Sequence, residues 1–326
     1  MNFPRSLSAS PWRGSTTNRH LTHRALRPRP RFWYLRKVLK WSVIAFLAAF
    51  IVSPDFRNVV TEYALSFLPD SYEHDLGDMV FDHMRAGGQL PVIVDEDLER
   101  DFARIMDPIR QNAGPAGQNL RVNLVNSSQI NAFAMPGGHI VVYSELILEA
   151  ESPEEIAGVL AHETGHVVKH HCMKRIAGII GTRALLSILI RPTSTGRIST
   201  LSRICTTATS MHYSREYEAE ADREAFASLR RAHLDTSAYR HFFERLGQRN
   251  KSESRTLAFD VFTALMSSHP MPAERALAIR EMETAVGAGQ EPTRAIDIDF
   301  LAFKDKLRKR IGRPAPTVEK VAVTAN

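Results

Sequence analysis

At 326 residues, with 44% hydrophobic and 24% charged side chains, the chain can bury a core as one large domain or two small ones, which excludes a fibrous or wholly disordered protein. Its net charge of +6 is unevenly spread: residues 1–40 hold ten Lys and Arg and no Asp or Glu, leaving 32 basic and 36 acidic groups elsewhere. The folded part therefore has no basic surplus, and no nucleic-acid partner is expected.

Residues 1–36, rich in Arg, Ser and Pro, are predicted to be a disordered basic arm suited to anionic lipid. Trp41–Val52 is an uncharged apolar run, and residues 37–53 read as an uncleaved signal anchor, a transmembrane helix in which Lys40 snorkels and Pro54 stops the helix. The positive-inside rule leaves the arm in the cytoplasm and the rest of the chain across the membrane. A mitochondrial presequence and a soluble core helix are the rival readings.

Asp55–Gly88 is helical in parts, and Leu90–Val94 is a short strand candidate. Asp95–Gln111 is an amphipathic helix with Leu98, Phe102, Ile105, Met106 and Ile109 on one face. Gly114, Pro115 and Gly117 mark a turn. Leu120, Val122 and Leu124 alternate as a half-buried strand. Ile130–Ala134 and His139–Tyr143 flank Met135-Pro136-Gly137-Gly138 as a hairpin. Ser144 is expected to cap a short helix ending at Ala150.

Ser152–His171 reads SPEEIAGVLAHETGHVVKHH. Ser152 is an N-cap, Pro153 suits the first helical position and Glu155 completes a capping box. Ile156, Val159, Leu160 and Val167 form the inward stripe. His162, Glu163 and His166 make HExxH: residues four apart share a helix face, so two imidazoles can meet one metal, while Glu163 can reach a water beside it. His170, two turns past His162, lies too far along a continuous helix to join that ion. His171 and Cys172 lie past it as well. Cys172 and Cys205 admit one disulfide or two buried thiols.

Ile176–Ile190 is apolar but broken by Arg183 and two glycines, a buried or membrane-grazing helix. Residues 193–214 have the Ser/Thr-rich composition of a loop or lid. Ser214–Leu229, Asp235–Leu246, Arg255–Met266 and Pro272–Val286 are helical, with Tyr239, Phe242, Phe243 and Leu246 inward on the second. Gly287–Pro292 is a linker, Phe300–Ile311 a basic amphipathic helix, and the end a tail. A catalytic zinc needs a third protein ligand. Residues 214–222 offer two pairs at helical spacing, Glu218 with Asp222 and Glu216 with Glu220, and spacing does not choose between them.

HETGH followed by SREYEAEAD resembles metallopeptidase family 48, the family of CAAX prenyl protease type 1 and HtpX, which pairs HExxH on one helix with ExxAD on a later one. NAFAMPGG, an extra histidine after the first motif (His170) and SHP followed by Arg match as well, over roughly Val94–Met282. The resemblance implies an α+β, predominantly helical, zincin-like (gluzincin) domain over 54–286, with 287–326 as linker, helix and tail. It implies one zinc ion per chain held by His162, His166 and Glu218, with Asp222 orienting a ligand histidine and Glu216 and Glu220 at the surface. His269 matches a position near the metal, where it is a possible auxiliary catalytic group or a loop histidine. The layout is similar to compact single-anchor members, bacterial periplasmic quality-control proteases and the mitochondrial overlapping-activity protease. The catalytic domain is therefore expected in the periplasm on the bacterial inner membrane, or alternatively at the mitochondrial inner membrane.

The expected activity is zinc-dependent endoproteolysis of misfolded or membrane-associated polypeptides, with Glu163 as general base and acid. The extended peptide would lie along Asn131, Ala132, Phe133 and Ala134 or along His139, Ile140 and Val141. The competing expectation is a membrane-tethered chaperone or adaptor whose proteolysis is minor.

Overall fold

The HExxH stretch is a helix buried on every side in the computed structural model, which describes residues 31–52, 54–67, 69–190, 195–210, 213–252, 269, 272–285 and 293–313. In chain order the helices before the sheet are α1 (Arg31–Val52), α2 (Pro54–Ser66), α3 (Asp70–Ala86) and α4 (Glu96–Asn112). The strands are β1 (Arg121–Val125), β2 (Ala132–Ala134) and β3 (His139–Tyr143), followed by α5 (Ser144–Glu149) and the HExxH helix α6 (Pro153–Val168). Then come α7 (His171–Ile180), α8 (Thr182–Ile190), α9 (Thr195–Ser210), α10 (Arg215–Arg231), α11 (Thr236–Ser252), α12 (Pro272–Ala285) and α13 (Phe300–Arg310). The chain divides into two units, 1–56 and 57–326. The larger is a predominantly helical α+β domain around one three-stranded sheet.

The sheet order is β1-β3-β2, with β1 parallel and β2 antiparallel to β3. Side chains alternate across it, as period 2 requires. Ala132, Ile140 and Val142 face a core shared with α4, α5, α6, α10 and α11. Phe133 and Val141 face a second core with α3, α7, α8 and α9. The link between β2 and β3 is a tight turn with Gly137 at φ 75°, and α3 lies so close that a Cβ on Gly77 would sit 2.1 Å from the Pro136 carbonyl oxygen.

Helix α6 starts as the sequence indicates: the Ser152 hydroxyl accepts from the Glu155 amide, and Pro153 fills the first position. The capping box is displaced by one residue, because Glu155 accepts from the Glu151 amide at 2.7 Å and is also gripped by Arg245 of α11. Small residues let neighbouring helices close on α6. A Cβ on Gly165 would meet the Ala221 backbone of α10 at 2.9 Å, and one on Gly158 would meet Tyr239 of α11 at 2.5 Å.

Several expectations need correction. Residues 31–36 are the first turns of α1 and not part of a disordered arm; residues 1–30 lie outside the described residues. Among the described residues no helix is long and apolar enough to cross a membrane. The last 18 residues of α1 still contain Arg36, Lys37 and Lys40. Leu90–Val94 supplies one isolated bridge, Val92 to Val125. Tyr143, not Ser144, is the N-cap of α5; the Ser144 hydroxyl donates instead to the Ser127 carbonyl. The apolar stretch from Ile176 breaks into α7 and α8 at Gly181, whose φ is 86°.

The Ser/Thr-rich segment is helix α9 over 195–210. Its hydroxyls bond back to carbonyls four residues earlier, Thr206 to Ser202 and Thr207 to Arg203, while Leu201 and Cys205 are buried. Tertiary packing overrides the loop-like composition. Cys172 and Cys205 are both buried free thiols. The basic helix α13 is not an appendage: Phe300, Phe303 and Leu307 lie in the same core as α4. The expected helix at Arg255–Met266, the linker at 287–292 and the tail from 314 lie outside the described residues.

Candidate metal centre

Helix spacing puts His162 and His166 on one face of α6, and the close approach at Gly165 brings α10 alongside. The Ser214 hydroxyl accepts from the Tyr217 amide and so caps the start of α10. Glu218 and Asp222 then share the face of α10 that meets α6, and both are buried. That choice between the two carboxylate pairs was open on spacing alone.

His162, His166, Glu218 and His269 form one cluster, each offering a donor atom within 4.8 Å of the others. His162 Nε2 lies 3.0 Å from His166 Nε2 and 3.5 Å from Glu218 Oε2, and His166 Nε2 lies 3.6 Å from Glu218 Oε1. Donors about 2.0–2.1 Å from a tetrahedral ion stand roughly 3.3 Å apart, so these spacings suit a metal held among them. The polar bookkeeping agrees. Glu218 Oε2 and both Glu163 carboxylate oxygens are buried without a hydrogen-bond partner, a costly arrangement for groups of this kind. Two imidazoles and a carboxylate are also the donor chemistry of a catalytic metal site, so the residues fit the ion.

Each α6 histidine is braced at its other ring nitrogen. His162 Nδ1 is 2.9 Å from Asp222 Oδ1 and 2.8 Å from Arg275 Nη2. Asp222 in turn accepts from the Tyr239 hydroxyl at 2.8 Å and from Arg275 Nη2 at 2.8 Å. His166 Nδ1 is 2.9 Å from His171 Nδ1, and His171 Nε2 is 3.1 Å from Glu220 Oε2. Tyr213 stacks on His166 at 4.1 Å and Tyr217 on His171 at 4.4 Å.

Three of these were missed or misplaced by sequence reasoning. Glu220 is not a free surface group. His171 is not past the site, because α6 stops at Val168 and His170 adopts a left-handed conformation, φ 53° and ψ 31°, that turns the chain back. A continuous helix would put His171 about 140° round the axis from His166. Arg275, buried at 5% exposure, had only the downstream Arg of the SHP pattern as its signal. His170 itself bonds Glu73 of α3 at 2.7 Å, away from the cluster, and Glu216 is exposed.

Electrostatics follow from burial and these partners. Burial raises the Glu163 carboxyl above the ordinary range, against the pull of His269 and His162. For Glu218 burial works upward too, but His269 and Arg275 outweigh it and hold the group far below the usual carboxylate range. Asp222 behaves likewise, with Arg275 and His162 overcoming its burial. Burial holds His166 well below an ordinary histidine, and it pushes His171 down to about 4 despite Glu220. His269 Nδ1 is 2.9 Å from Glu218 Oε1, and its Nε2 is 3.3 Å from Glu163 Oε1 without a hydrogen bond.

The strand residues divide. Strands β1 and β2 are the two edges of the sheet, and β2 packs against α6. Strand β3 is central, its backbone committed to β1 and β2, so His139, Ile140 and Val141 offer no free edge. The His139 ring lies in a separate network, Nε2 on Asp78 at 2.8 Å and stacked on Phe81. Asn131, Ala132, Phe133 and Ala134 are on or beside the β2 edge, and all four are buried.

A histidine pair and a carboxylate on two crossing helices beside a small sheet is the arrangement of a zincin-like metallopeptidase. Residues 94–283, more than half of the chain, match Peptidase family M48, and the chain belongs to that family. It is 27% identical over 259 residues to the beta-barrel assembly-enhancing protease of Escherichia coli (strain K12), covering 75% of this chain and 52% of that protein. It is 32% identical to the metalloprotease YcaL of the same organism, covering 55% and 68% of the two chains. Similarity to the mitochondrial metalloendopeptidase OMA1 of Arabidopsis thaliana is 29% identity, covering 49% and 30%. The chain thus spans about half the length of the assembly-enhancing proteases it matches.

Proposed function

We propose that the protein is a zinc-dependent endopeptidase in which His162, His166 and Glu218 hold the ion and Asp222 orients His162. The observation that carries this reading is the buried Glu163 carboxylate, whose two oxygens lack a hydrogen-bond partner beside a cluster of metal donors. Bound zinc supplies Lewis acidity at a scissile carbonyl and lowers the pKa of a water to about 7. Glu163 takes that water's proton at its carboxylate and delivers it to the leaving amine nitrogen. Burial of the site excludes bulk solvent and strengthens these contacts. His269, next to Glu163 and Glu218, is the auxiliary group, placed to touch the reacting centre or complete the donor set. Among the described residues the β2 edge at Ala132–Ala134, with Asn131, supports alignment of an extended peptide.

Polypeptides are the substrates, and misfolded or membrane-associated ones are the class proposed, in keeping with relatives named for enhancing β-barrel assembly. The proposed layout is a basic arm, an anchor ending near residue 53, and a peptidase domain from 54 onward. Support for the anchor is the acid-free, ten-cation arm followed by Trp41–Val52, with Val38, Leu39 and Trp41 exposed on α1. A bacterial inner membrane with the domain on its periplasmic side is the proposed location.

Glu163→Gln should keep the fold and bound zinc and lower cleavage of an unfolded protein by about 10²–10⁴-fold. Undiminished cleavage by that variant refutes the assignment. Glu218→Ala should release zinc, read by metal analysis of the purified chain.

A further inference from the structure

Two hydrogen bonds run outward from His166, and their chemistry has a fixed direction. Glu220 Oε2, as a carboxylate, can only accept, so the His171 Nε2–H donates to it across 3.1 Å. The neutral His171 ring is then left with a lone pair at Nδ1. That lone pair accepts the Nδ1–H of His166 across 2.9 Å. With its proton on Nδ1, His166 presents a bare Nε2, the atom that faces His162 and Glu218. Resting on the zinc reading above, we propose that His171 and Glu220 are positioning residues, a relay that fixes the tautomer and ring orientation of His166 for the metal.

The surroundings are built for this. His171 is fully buried and stacked at 15° on Tyr217, so its ring plane is set before any metal arrives. Glu220 lies on the same helix as Glu218, two residues on, so one helix supplies both the third metal donor and the end of the relay. The left-handed His170 is what allows the pairing, because it starts α7 at the angle that aims His171 back at α6. His162 receives the equivalent brace directly from Asp222 at 2.9 Å. His166 has no carboxylate of its own within reach of Nδ1 among the described contacts, and the intervening imidazole spans the gap. Partners of this kind typically change metal affinity by about 10–100-fold when removed.

The test uses the full-length chain and zinc alone, titrated against a chromophoric chelator. His171→Phe keeps the ring that stacks on Tyr217 but has no nitrogen, and should weaken zinc binding by about 10–100-fold. Glu220→Leu, at a half-exposed position that opens no core cavity, should weaken it in the same direction. His171→Gln, whose amide can accept from His166 and donate to Glu220, should restore affinity to within a few-fold of wild type. Long-range proton–nitrogen spectra of the metal-free chain supply a readout that mere loss of packing would not move. Wild type and His171→Gln should show His166 protonated at Nδ1, and His171→Phe and Glu220→Leu should lose that preference. If His171→Phe fails to fold by circular dichroism, the Glu220→Leu affinity and spectrum decide. Wild-type affinity and an unchanged His166 tautomer in Glu220→Leu overturn the relay, provided Glu218→Ala still releases zinc. If Glu218→Ala also keeps its zinc, the site reading itself has failed, and the relay falls with it.

Discussion

Arg275 is the residue on which the charge balance of the centre turns. Its guanidinium is buried, donates to Asp222 and the Tyr239 hydroxyl, and lies 3.4 Å from Glu218 Oε2. Replacing it with Met keeps much of the volume but leaves two buried carboxylates short of their cation. Removal of one partner from a buried pair costs about 3–5 kcal/mol, so Arg275→Met should lose that much stability in chemical denaturation. Zinc binding should partly restore it, because the ion supplies positive charge to Glu218. At this scale helical spacing put His162 and His166 on one face, and the resemblance to the ExxAD pattern, not spacing, singled out Glu218, which lies in the same cluster. His171, Glu220 and Arg275 were hidden because their roles depend on a break in a helix and on a helix more than a hundred residues from His162.

Between elements, closeness is set by missing side chains. Gly165 sits inside the HETGH motif at a crossing where a methyl group would press on the Ala221 backbone. Backbone cannot move aside as a flexible side chain can, so Gly165→Ala should cost about 1–3 kcal/mol and separate Glu218 from the α6 histidines, visible as weaker zinc binding. The junction of α6 and α7 is held by His170 and Glu73, and its pH dependence has a definite sign. The hydrogen bond to Glu73 raises the His170 pKa above the ordinary 6.5, so the bond stabilises the fold fully below 6.5 and is lost as pH rises through the folded value. His170→Asn tolerates the left-handed backbone but carries no charge. The stability difference between wild type and this variant should therefore be largest near pH 5.5 and shrink toward pH 8. Amphipathic elements such as α4 were legible from periodicity. The helix α9 was not, because Thr206 and Thr207 bond back along the helix and its buried apolar residues, Leu201 and Cys205, are few among many Ser and Thr.

For the whole molecule, the match to the peptidase family ends at residue 283, yet the core does not. Phe303 is 1% exposed and packs on Phe102 of α4, while Lys304 donates to the Ala150 carbonyl just before α6. Phe303→Ala should cost about 3–5 kcal/mol, read from its unfolding midpoint at unchanged slope. Zinc at a hundred times its dissociation constant should stabilise the metal-free chain by about 2.7 kcal/mol, and a chelator should reverse the gain. Flotation with anionic vesicles should require the first 52 residues, and loss of that requirement would remove the anchor proposal. The broad plan of a helical domain around a small sheet followed from sequence; the packing of α13 into the main core did not, since that helix reads as peripheral by composition.

The position of Arg275 in the chain also orders events in time. His162 emerges from the ribosome 113 residues before the guanidinium that pairs with its brace. Until α12 has been made and docked, Asp222 and Glu218 are unbalanced anions, and the cavity for the ion is unfinished. Completion of the charge balance around His162 therefore waits for α12, the helix that carries Arg275.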